Sequence, residues 1–508
     1  MSAKAKSLII AAFGLLLALI LGAQLGESSD LIPFAVAGVC IGTFIYVAFF
    51  RTVRFEALIL AFLLFGYIAG NRGFAQISIQ RNSPLYFGEV GMLCCVFLIA
   101  VRRALTREQL IPKISLAWAI VGFLLLGGIR LYLDTVMHGT RASVMLAIRD
   151  SAVVYYAIFF FIAYQIGTNA SARNFVERAM LAGFVLIIPG AILAMISNEI
   201  FYKLTFRGYP LILYKGDLLT TFLGIGSFYF FLTPSKGITK IFLRICSVAS
   251  LGLMLFAMSR AALFGFACAV ILLVIARRPR FLLYQIGIVV IALLAIAFLQ
   301  FSNIRFESDF PRRFGDKVSS IVDVTATGHY RSEVGDFSAA NNEFRTVWWT
   351  TVFNETMQKG PVFGLGFGYD LTSSFMLAYF PTGGEDTATT RSPHSIIFTI
   401  LGRMGVIGLA SLLVIIFLTI RMALQTARSV ARRKQPDRNL AAWCGAINLL
   451  VAAMFGVVLE GPMGGILFWT LLGLGASQSL QSRESQPVEG ERSIPNRSDP
   501  MLSEAALK

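Results

Sequence analysis

The chain has 508 residues, of which 56% are hydrophobic and only 14% are charged, and its formal net charge at pH 7 is +16. Its mean hydropathy of +0.72 leaves too little polar side chain to cover the surface of a water-soluble protein of this length. The composition therefore excludes a soluble globule and predicts an all-α, polytopic bundle of membrane helices.

Apolar stretches long enough to cross a hydrocarbon core, about 17–25 residues, recur along nearly the whole chain. The helices are predicted near 7–24, 31–50, 55–70, 85–101, 114–133, 151–167, 178–197, 215–232, 242–258, 261–276, 282–300, 394–420, 440–458 and 463–480. Two of them are short, and one division depends on the polar Ser259 and Arg260, so we expect twelve to fourteen spans. All six cysteines fall in predicted spans, so neither disulfides nor a metal cluster is expected. The polar tail 481–508 is predicted to be a disordered cytoplasmic end.

Lysine and arginine concentrate in alternate connections between the predicted helices. One side of the membrane receives clusters such as Arg102, Arg103, Arg107 and Lys113, and a second group between 421 and 438, whereas the short connections on the other side carry few basic residues. Basic residues are retained in the cytoplasm, so both termini are predicted to lie there. The positive net charge is then a topology signal, and no nucleic-acid partner is expected.

On this topology, residues 301–393 form one long loop on the outer face, and loops of such length are seldom mere connectors. The segment NNEFRTVWWTTVFNETMQ (341–358) has apolar residues at helical spacing after two asparagines that can cap it. Trp348 and Trp349 suit the headgroup level, which predicts a helix on the outer membrane surface with Arg345 among the headgroups. The alternative is that Arg345 only interacts with lipid headgroups and has no role in binding or catalysis.

The segment KGPVFGLGFGYD (359–370) follows this helix and contains Gly364, Gly366 and Gly368. Its glycines resemble those of a phosphate-binding loop, but no strand precedes them and no βαβ unit follows. We therefore predict a tight backbone turn that brings the loop back toward the bundle.

Ionisable side chains occur at the ends of several predicted spans, where a charge is costly and often functional. Those near the outer ends are Glu89, Arg130, Arg149, Asp150, Asp217, Arg260 and Glu460, and only Arg403 lies deeper. Taken singly, each of these charges is explained by a structural ion pair or by a side chain that snorkels to the membrane surface. Their common depth favours a cavity on the outer face, and arginines in such a cavity suit a phosphate group.

His394 is one of three histidines and follows a proline at the start of an apolar run, with Arg391 just upstream. This position fits an ordinary polar residue at a helix entrance. It equally fits a general base, because the ordinary pKa of an imidazole lies near ambient pH.

Four segments, taken in order, resemble the O-antigen ligase and polysaccharide polymerase superfamily of bacterial inner membranes. They are AMSRAALFGFACAVILLV (257–274), EFRTVWW (343–349), GPVFGLGFGYD (360–370) and RSPHSIIFTILGRMGVIGL (391–409). The resemblance covers about residues 245–420. It divides the chain into N-terminal membrane helices (1–244), a ligase-related core (245–420), C-terminal membrane helices (421–480) and the tail.

The resemblance implies an enzyme that moves a glycan on the periplasmic face from an undecaprenyl-diphosphate donor to a hydroxyl of a glycan or lipid A-core acceptor. It implies no nucleotide sugar, no obligatory metal and no other cofactor. Arg260 and Arg345 would engage the donor diphosphate, and His394 would activate the acceptor. The further substrate-binding candidates are Arg391, Arg149 and Glu89, and either Glu89 or Glu460 is a candidate to orient the imidazole. Relatives often carry an acidic or uncharged residue at the position of Arg403. This departure from the family pattern bears on the class of acceptor more than on the chemistry of transfer.

Two other classes of function remain open at this stage. A transporter or flippase for lipid-linked oligosaccharides would need access paths on both faces and often shows inverted repeats. A sensor or scaffold would use the outer loop to bind a partner. Within the enzyme class, the sequence does not distinguish a ligase from a polymerase.

Overall fold

The computed structural model describes residues 53–77, 86–107, 109, 111–138, 141–197, 199–206, 209–257, 259–281, 283–285, 287, 333–379, 391–432 and 437–484. The spans predicted near 7–24 and 31–50, most of the span predicted near 282–300, residues 301–332 and 380–390 of the outer loop, and the C-terminal tail from 485 lie outside the described residues.

The described part of the chain is almost entirely helical. Its helices are Phe55–Gly70, Arg72–Ala75, Phe87–Thr106, Ser115–His138, Arg141–Asp150, Ala152–Tyr155, Ile158–Gly167, Ala170–Ile196, Glu199–Lys203, Gly216–Leu232, Gly237–Ala257, Arg260–Ile275, Glu333–Lys359, Ser373–Tyr379, Ile396–Ala431, Asn439–Met454 and Pro462–Glu484. A two-stranded antiparallel hairpin, Thr205–Phe206 with Tyr209–Pro210, pairs Thr205 with Pro210 and Phe206 with Tyr209.

Five of these helical segments are long and apolar enough to cross a membrane: Ser115–Val136, Val144–Gly167, Ala170–Ile196, Gly237–Ala257 and Ile396–Ala431. Four shorter apolar helices accompany them: Phe55–Gly70, Gly216–Leu232, Arg260–Ile275 and Asn439–Met454. The predicted all-α membrane bundle is confirmed. The span predicted at 151–167 begins earlier and consists of three short consecutive helices.

The main hydrophobic core runs between the membrane helices. The C-terminal helix Pro462–Glu484 packs against Ile158–Gly167, and Asn439–Met454 packs against Arg260–Ile275. A second, smaller cluster joins Trp348, Val352, Leu371 and Phe375. It lies between the helix Glu333–Lys359, which we call the outer-loop helix, and the short helix Ser373–Tyr379. The outer loop therefore has a core of its own, and Phe398 of the helix Ile396–Ala431 packs against it.

The outer-loop helix, Glu333–Lys359, begins before the asparagines that were expected to cap it. The expected headgroup position of Trp348 is wrong, because its side chain is only 2% exposed. The indole stacks on Phe375 with ring centroids 4.6 Å apart and donates a hydrogen bond from Nε1 to the carbonyl of Leu371 at 3.0 Å. Burial in the loop core, together with this hydrogen bond, satisfies an indole as well as a membrane interface does.

The helix Ile396–Ala431 is interrupted at Gly405, whose φ of 65° and ψ of −162° are not helical, and we call it the broken helix. Just before the break, the carbonyl of Gly402 accepts a hydrogen bond from Leu365 N at 2.7 Å, and the carbonyl of Arg403 accepts one from Gly366 N at 3.2 Å. On the other side of the break, Val406 N donates to Pro361 O at 2.9 Å. The loop thus supplies the backbone partners that the helix loses, which is the condition for a break at membrane depth.

Candidate active site

His394 lies immediately before the broken helix in a left-handed backbone conformation, with φ at 54°. Such a conformation is uncommon for a residue with a side chain and persists only where the surroundings impose it. Here Trp349 Nε1 donates to the carbonyl of Pro393 at 2.7 Å. The Trp348 ring meets the imidazole edge to face at 5.5 Å, and Phe344 lies 6.5 Å away. The outer-loop helix therefore holds both the backbone and the ring of His394.

Arg260 is the first residue of the helix Arg260–Ile275, and its Nη1 donates to Oδ1 of Asn342 at 2.9 Å. Asn342 and Arg345 are three residues apart on the outer-loop helix, so they project from the same face. This hydrogen bond brings the two predicted diphosphate-binding arginines, Arg260 and Arg345, to one place. Among the described residues, none accepts a hydrogen bond from the Arg345 guanidinium, and the carboxylate of Asp217 is the charge that acts on it.

The start of the helix Gly216–Leu232 supplies two further charges, Lys215 and Asp217. Asp217 Oδ1 accepts a hydrogen bond from Ser259 Oγ at 3.4 Å, next to Arg260 in the chain. Lys215 is held by a hydrogen bond from its Nζ to the carbonyl of Val457 at 3.0 Å. Four separate segments of the chain therefore meet at this position, with three cations and one carboxylate.

The positive surroundings change the acid–base chemistry of the imidazole. Burial lowers the pKa of His394 to about 4, and the charges of Arg345 and Lys215 act in the same direction while Asp217 opposes them. Burial also lowers the pKa of Arg345, although a guanidinium keeps its charge at any physiological pH. At neutral pH the site thus combines fixed positive charge with an imidazole that is neutral and able to accept a proton.

Glu460 lies close to this site but does not contact the imidazole directly. Its Oε1 accepts a hydrogen bond from Thr399 Oγ1 at 2.7 Å, and Thr399 in turn lies 3.2 Å from Ser392 Oγ. Burial raises the pKa of Glu460. Its described hydrogen bond therefore supports the segment around His394 rather than the ring.

The glycine turn, residues Gly364–Tyr369, docks onto two carboxylates of the bundle, as the sequence predicted for a turn returning to it. Its three glycines have φ values of 74°, 102° and 87°, which only glycine adopts without strain. Asp134 Oδ2 accepts a hydrogen bond from Phe367 N at 2.7 Å, and Asp150 Oδ2 accepts one from Gly368 N at 3.1 Å.

Two arginines complete the attachment of this turn. Arg403, buried at 2% exposure, forms an ion pair with Asp150 at 2.8 Å and donates to the carbonyls of Gly366 and Tyr369. Arg391 donates to Gly368 O at 2.7 Å and to Tyr369 O at 3.1 Å. These two arginines, which neighbour His394 in the sequence, thus serve to fix the loop on the bundle.

The remaining predicted site residues lie elsewhere. Arg149 is exposed, and no described residue lies within hydrogen-bonding or ion-pair distance of it. Glu89 is buried and accepts hydrogen bonds from the Tyr156 hydroxyl at 2.6 Å and the Tyr155 hydroxyl at 3.1 Å, as well as from the backbone N–H of Tyr86 at 3.1 Å. The described contacts connect neither residue to His394, and their substrate-binding role stays a prediction.

Sequence reasoning missed Lys215 and Asn342. The signal for Lys215 was present, because a lysine two residues before Asp217 opens an apolar span at the same depth as the other outer charges. Asn342 was interpreted as a helix cap, whereas it lies inside the outer-loop helix and contacts Arg260.

Comparison with known proteins gives one family match. Residues 245–413 match the family model described as O-antigen ligase. The matched part of the chain contains Arg260, the outer-loop helix, the glycine turn, His394 and the break at Gly405. A search of curated proteins finds no match to the chain.

Proposed function

We propose that this chain, which carries an O-antigen ligase domain over residues 245–413, is a membrane glycosyltransferase of the ligase or polymerase type. In this proposal a glycan moves from undecaprenyl diphosphate to a hydroxyl of a glycan or lipid A-core acceptor, on the periplasmic face of the bacterial inner membrane. The observation that carries the proposal is a neutral, conformationally constrained His394 beside the cations Arg345 and Lys215, with Arg260 bound to Asn342 on the helix that carries Arg345.

The three cations suit a diphosphate leaving group. As the bond between the anomeric carbon and the phosphate oxygen breaks, that oxygen gains negative charge. Arg260 and Arg345 present planar forks that match phosphate oxygens, and Lys215 adds a point charge. Because the protein already fixes Arg260 through Asn342 and Lys215 through Val457, little reorganisation is needed when charge develops.

His394 supplies the base. Its neutral imidazole accepts the proton of the acceptor hydroxyl while the hydroxyl oxygen forms the new bond to the anomeric carbon. The electron pair of the broken bond leaves with the lipid diphosphate, and the proton remains on the imidazole until solvent removes it. A single displacement of this kind inverts the anomeric configuration.

Donor binding adjusts the strength of this base. In the free protein, burial of the ring together with the neighbouring cations holds the pKa of His394 at about 4, which makes it a weak proton acceptor. A bound diphosphate neutralises those cations and adds negative charge next to the ring, and both effects favour the imidazolium. The base is therefore strengthened when the donor is in place.

The test is transfer by purified protein from a lipid-linked donor to an acceptor, comparing His394→Gln and His394→Ala with the unmodified chain. Glutamine preserves polarity and hydrogen bonding at the helix entrance but cannot take up a proton. A positioned general base contributes about 10²–10⁴-fold, so both variants should lose at least a hundredfold in rate while still binding donor.

His138→Ala is the matched control, because it removes another histidine of the chain, at the end of the helix Ser115–His138, and leaves His394 in place. Near-normal transfer by His394→Gln would refute the general-base role and leave the polar helix entrance as the explanation. The acceptor is identified separately from the glycans of a deletion strain. Loss of long chains with single repeats still attached indicates a polymerase, and loss of all attached glycan indicates a ligase.

The face of the membrane is tested with topology reporters. A reporter inserted near Asp336, in the outer-loop helix, should be periplasmic, and one inserted near Lys434 should be cytoplasmic. The opposite accessibility would contradict both the positive-inside argument and the periplasmic placement of the site.

A further inference from the structure

A second site-like feature lies at the other end of the broken helix from His394. It is a cavity of about 300 Å³ between the start of the helix Ser115–His138, the C-terminal half of the broken helix and the end of the helix Pro462–Glu484. Along the unbroken helix Ser115–His138, Ser115 lines the cavity and Asp134, 19 residues later, binds the glycine turn near the His394 side of the bundle. At 1.5 Å per residue this separation is about 28 Å, close to the thickness of a hydrocarbon core of about 30 Å. The cavity therefore lies at the opposite membrane surface.

The charges that line this cavity have one sign. Lys113 and Arg421 are its two ionisable lining residues, and both are exposed. Among the described residues, no carboxylate lies within ion-pair distance of either. Ser115 and Leu116 also line the cavity, and they are the first residues of a 24-residue helix, whose initial N–H groups lack intrahelical partners and whose dipole favours an anion.

The remaining lining is divided between polar and apolar side chains. Gln425, Thr426, Ser429 and Ser479 form a polar part, and Thr426 Oγ1 lies 3.0 Å from Ser479 Oγ, which joins two helices at the wall. The apolar part consists of Ile114, Leu116, Leu418 and Met422. On the broken helix, Leu418 lies closer to the membrane centre than Arg421, so a ligand that fits both parts has a charged head and an apolar body.

We propose that this cavity binds an anionic phospholipid of the leaflet opposite the His394 site, with its phosphate between Lys113 and Arg421 and an acyl chain along Ile114, Leu116 and Leu418. Basic side chains at a membrane surface attract anionic lipids, each contributing about 1 kcal/mol. The proposal is independent of the glycosyltransferase assignment, because it concerns the other surface of the bundle and none of the residues around His394.

The test measures binding of phosphatidylglycerol to the purified full chain in detergent by native mass spectrometry, with phosphatidylethanolamine as the zwitterionic comparison. The variant is Lys113→Gln with Arg421→Gln. Loss of two contacts of about 1 kcal/mol each corresponds to roughly thirtyfold weaker binding of phosphatidylglycerol. Lys113→Arg with Arg421→Lys keeps both charges and should restore binding to within a few fold.

Arg428→Gln is the matched control, because Arg428 is exposed on the same helix but does not line the cavity. The proposal is supported if the unmodified chain and Arg428→Gln bind phosphatidylglycerol selectively and the double variant has lost this binding. Equal binding by the double variant and Arg428→Gln would overturn it. Displacement of the lipid by millimolar inorganic phosphate, with no dependence on acyl chain length, would also overturn it, since the ligand would then be a soluble anion.

Discussion

The crossing of the glycine turn over the broken helix gives a quantitative prediction for Gly364→Ala. Gly364 has a φ of 74°, where an alanine costs about 1–2 kcal/mol of backbone strain. A Cβ added there would also lie 2.5 Å from Gly405 N and 2.6 Å from both the Arg403 carbonyl carbon and Met404 N. These are backbone atoms, so the methyl group can be accommodated only if the turn and the helix move apart.

Separation of the turn from the helix breaks the hydrogen bonds from Leu365 N to Gly402 O and from Gly366 N to Arg403 O. Each buried backbone group left without a partner costs about 1–3 kcal/mol. For two such hydrogen bonds together with the backbone strain, the expected destabilisation by Gly364→Ala is about 3–8 kcal/mol. Transfer should fall as well, because the same turn is attached to Arg391, three residues before His394.

Thermal unfolding of the detergent-purified protein, followed together with the transfer assay, measures both effects. Gly128→Ala is the matched control, because no heavy atom lies within 4 Å of an added Cβ there and alanine is favoured over glycine inside a helix by about 1 kcal/mol. We expect Gly128→Ala to melt at or above the unmodified temperature and Gly364→Ala to melt well below it. Equal melting temperatures and equal activity for the two variants would refute the described crossing.

The remaining predictions concern charges near the site. Asp150→Asn leaves the buried Arg403 without its carboxylate and should destabilise by about 3–5 kcal/mol, whereas Arg149→Gln, at the exposed neighbouring position, should change stability by no more than about 0.5 kcal/mol; equal melting temperatures for the two variants would contradict a buried ion pair. Arg260→Lys and Arg345→Lys keep charge but lose the fork, so each should lower transfer about ten- to a hundredfold, or roughly 1.4–2.8 kcal/mol, and unchanged rates would remove the diphosphate contact. His394 must be neutral to act, so kcat/KM should fall as pH drops through about 4, and the acid limb of kcat should lie at higher pH because bound diphosphate favours the imidazolium. A kcat/KM limb near the ordinary histidine value of about 6.5 would contradict the described burial of the ring among cations in the free protein.

The sequence by itself determined the class of the molecule and much of its helix order. Composition excluded a soluble fold, and apolar runs located the described membrane helices, because in a bilayer the backbone must satisfy its hydrogen bonds within each helix. The Gly364, Gly366 and Gly368 pattern also predicted the turn back to the bundle, since only glycine adopts such φ values freely. These features depend on local chain properties, which the sequence carries directly.

Features that depend on distant partners were decided by the tertiary structure. The sequence GRMGVIG reads as continuous helix, yet the chain breaks at Gly405 because residues 361–366 provide the hydrogen bonds that the helix gives up. Trp348 was expected at the membrane surface, but Phe375 and Leu371 bury it within the loop. The pKa of His394 likewise depends first on burial of the ring and then on the charges of Arg345 and Lys215, which lie far away in the sequence. Only the tertiary packing around the ring could therefore set it near 4.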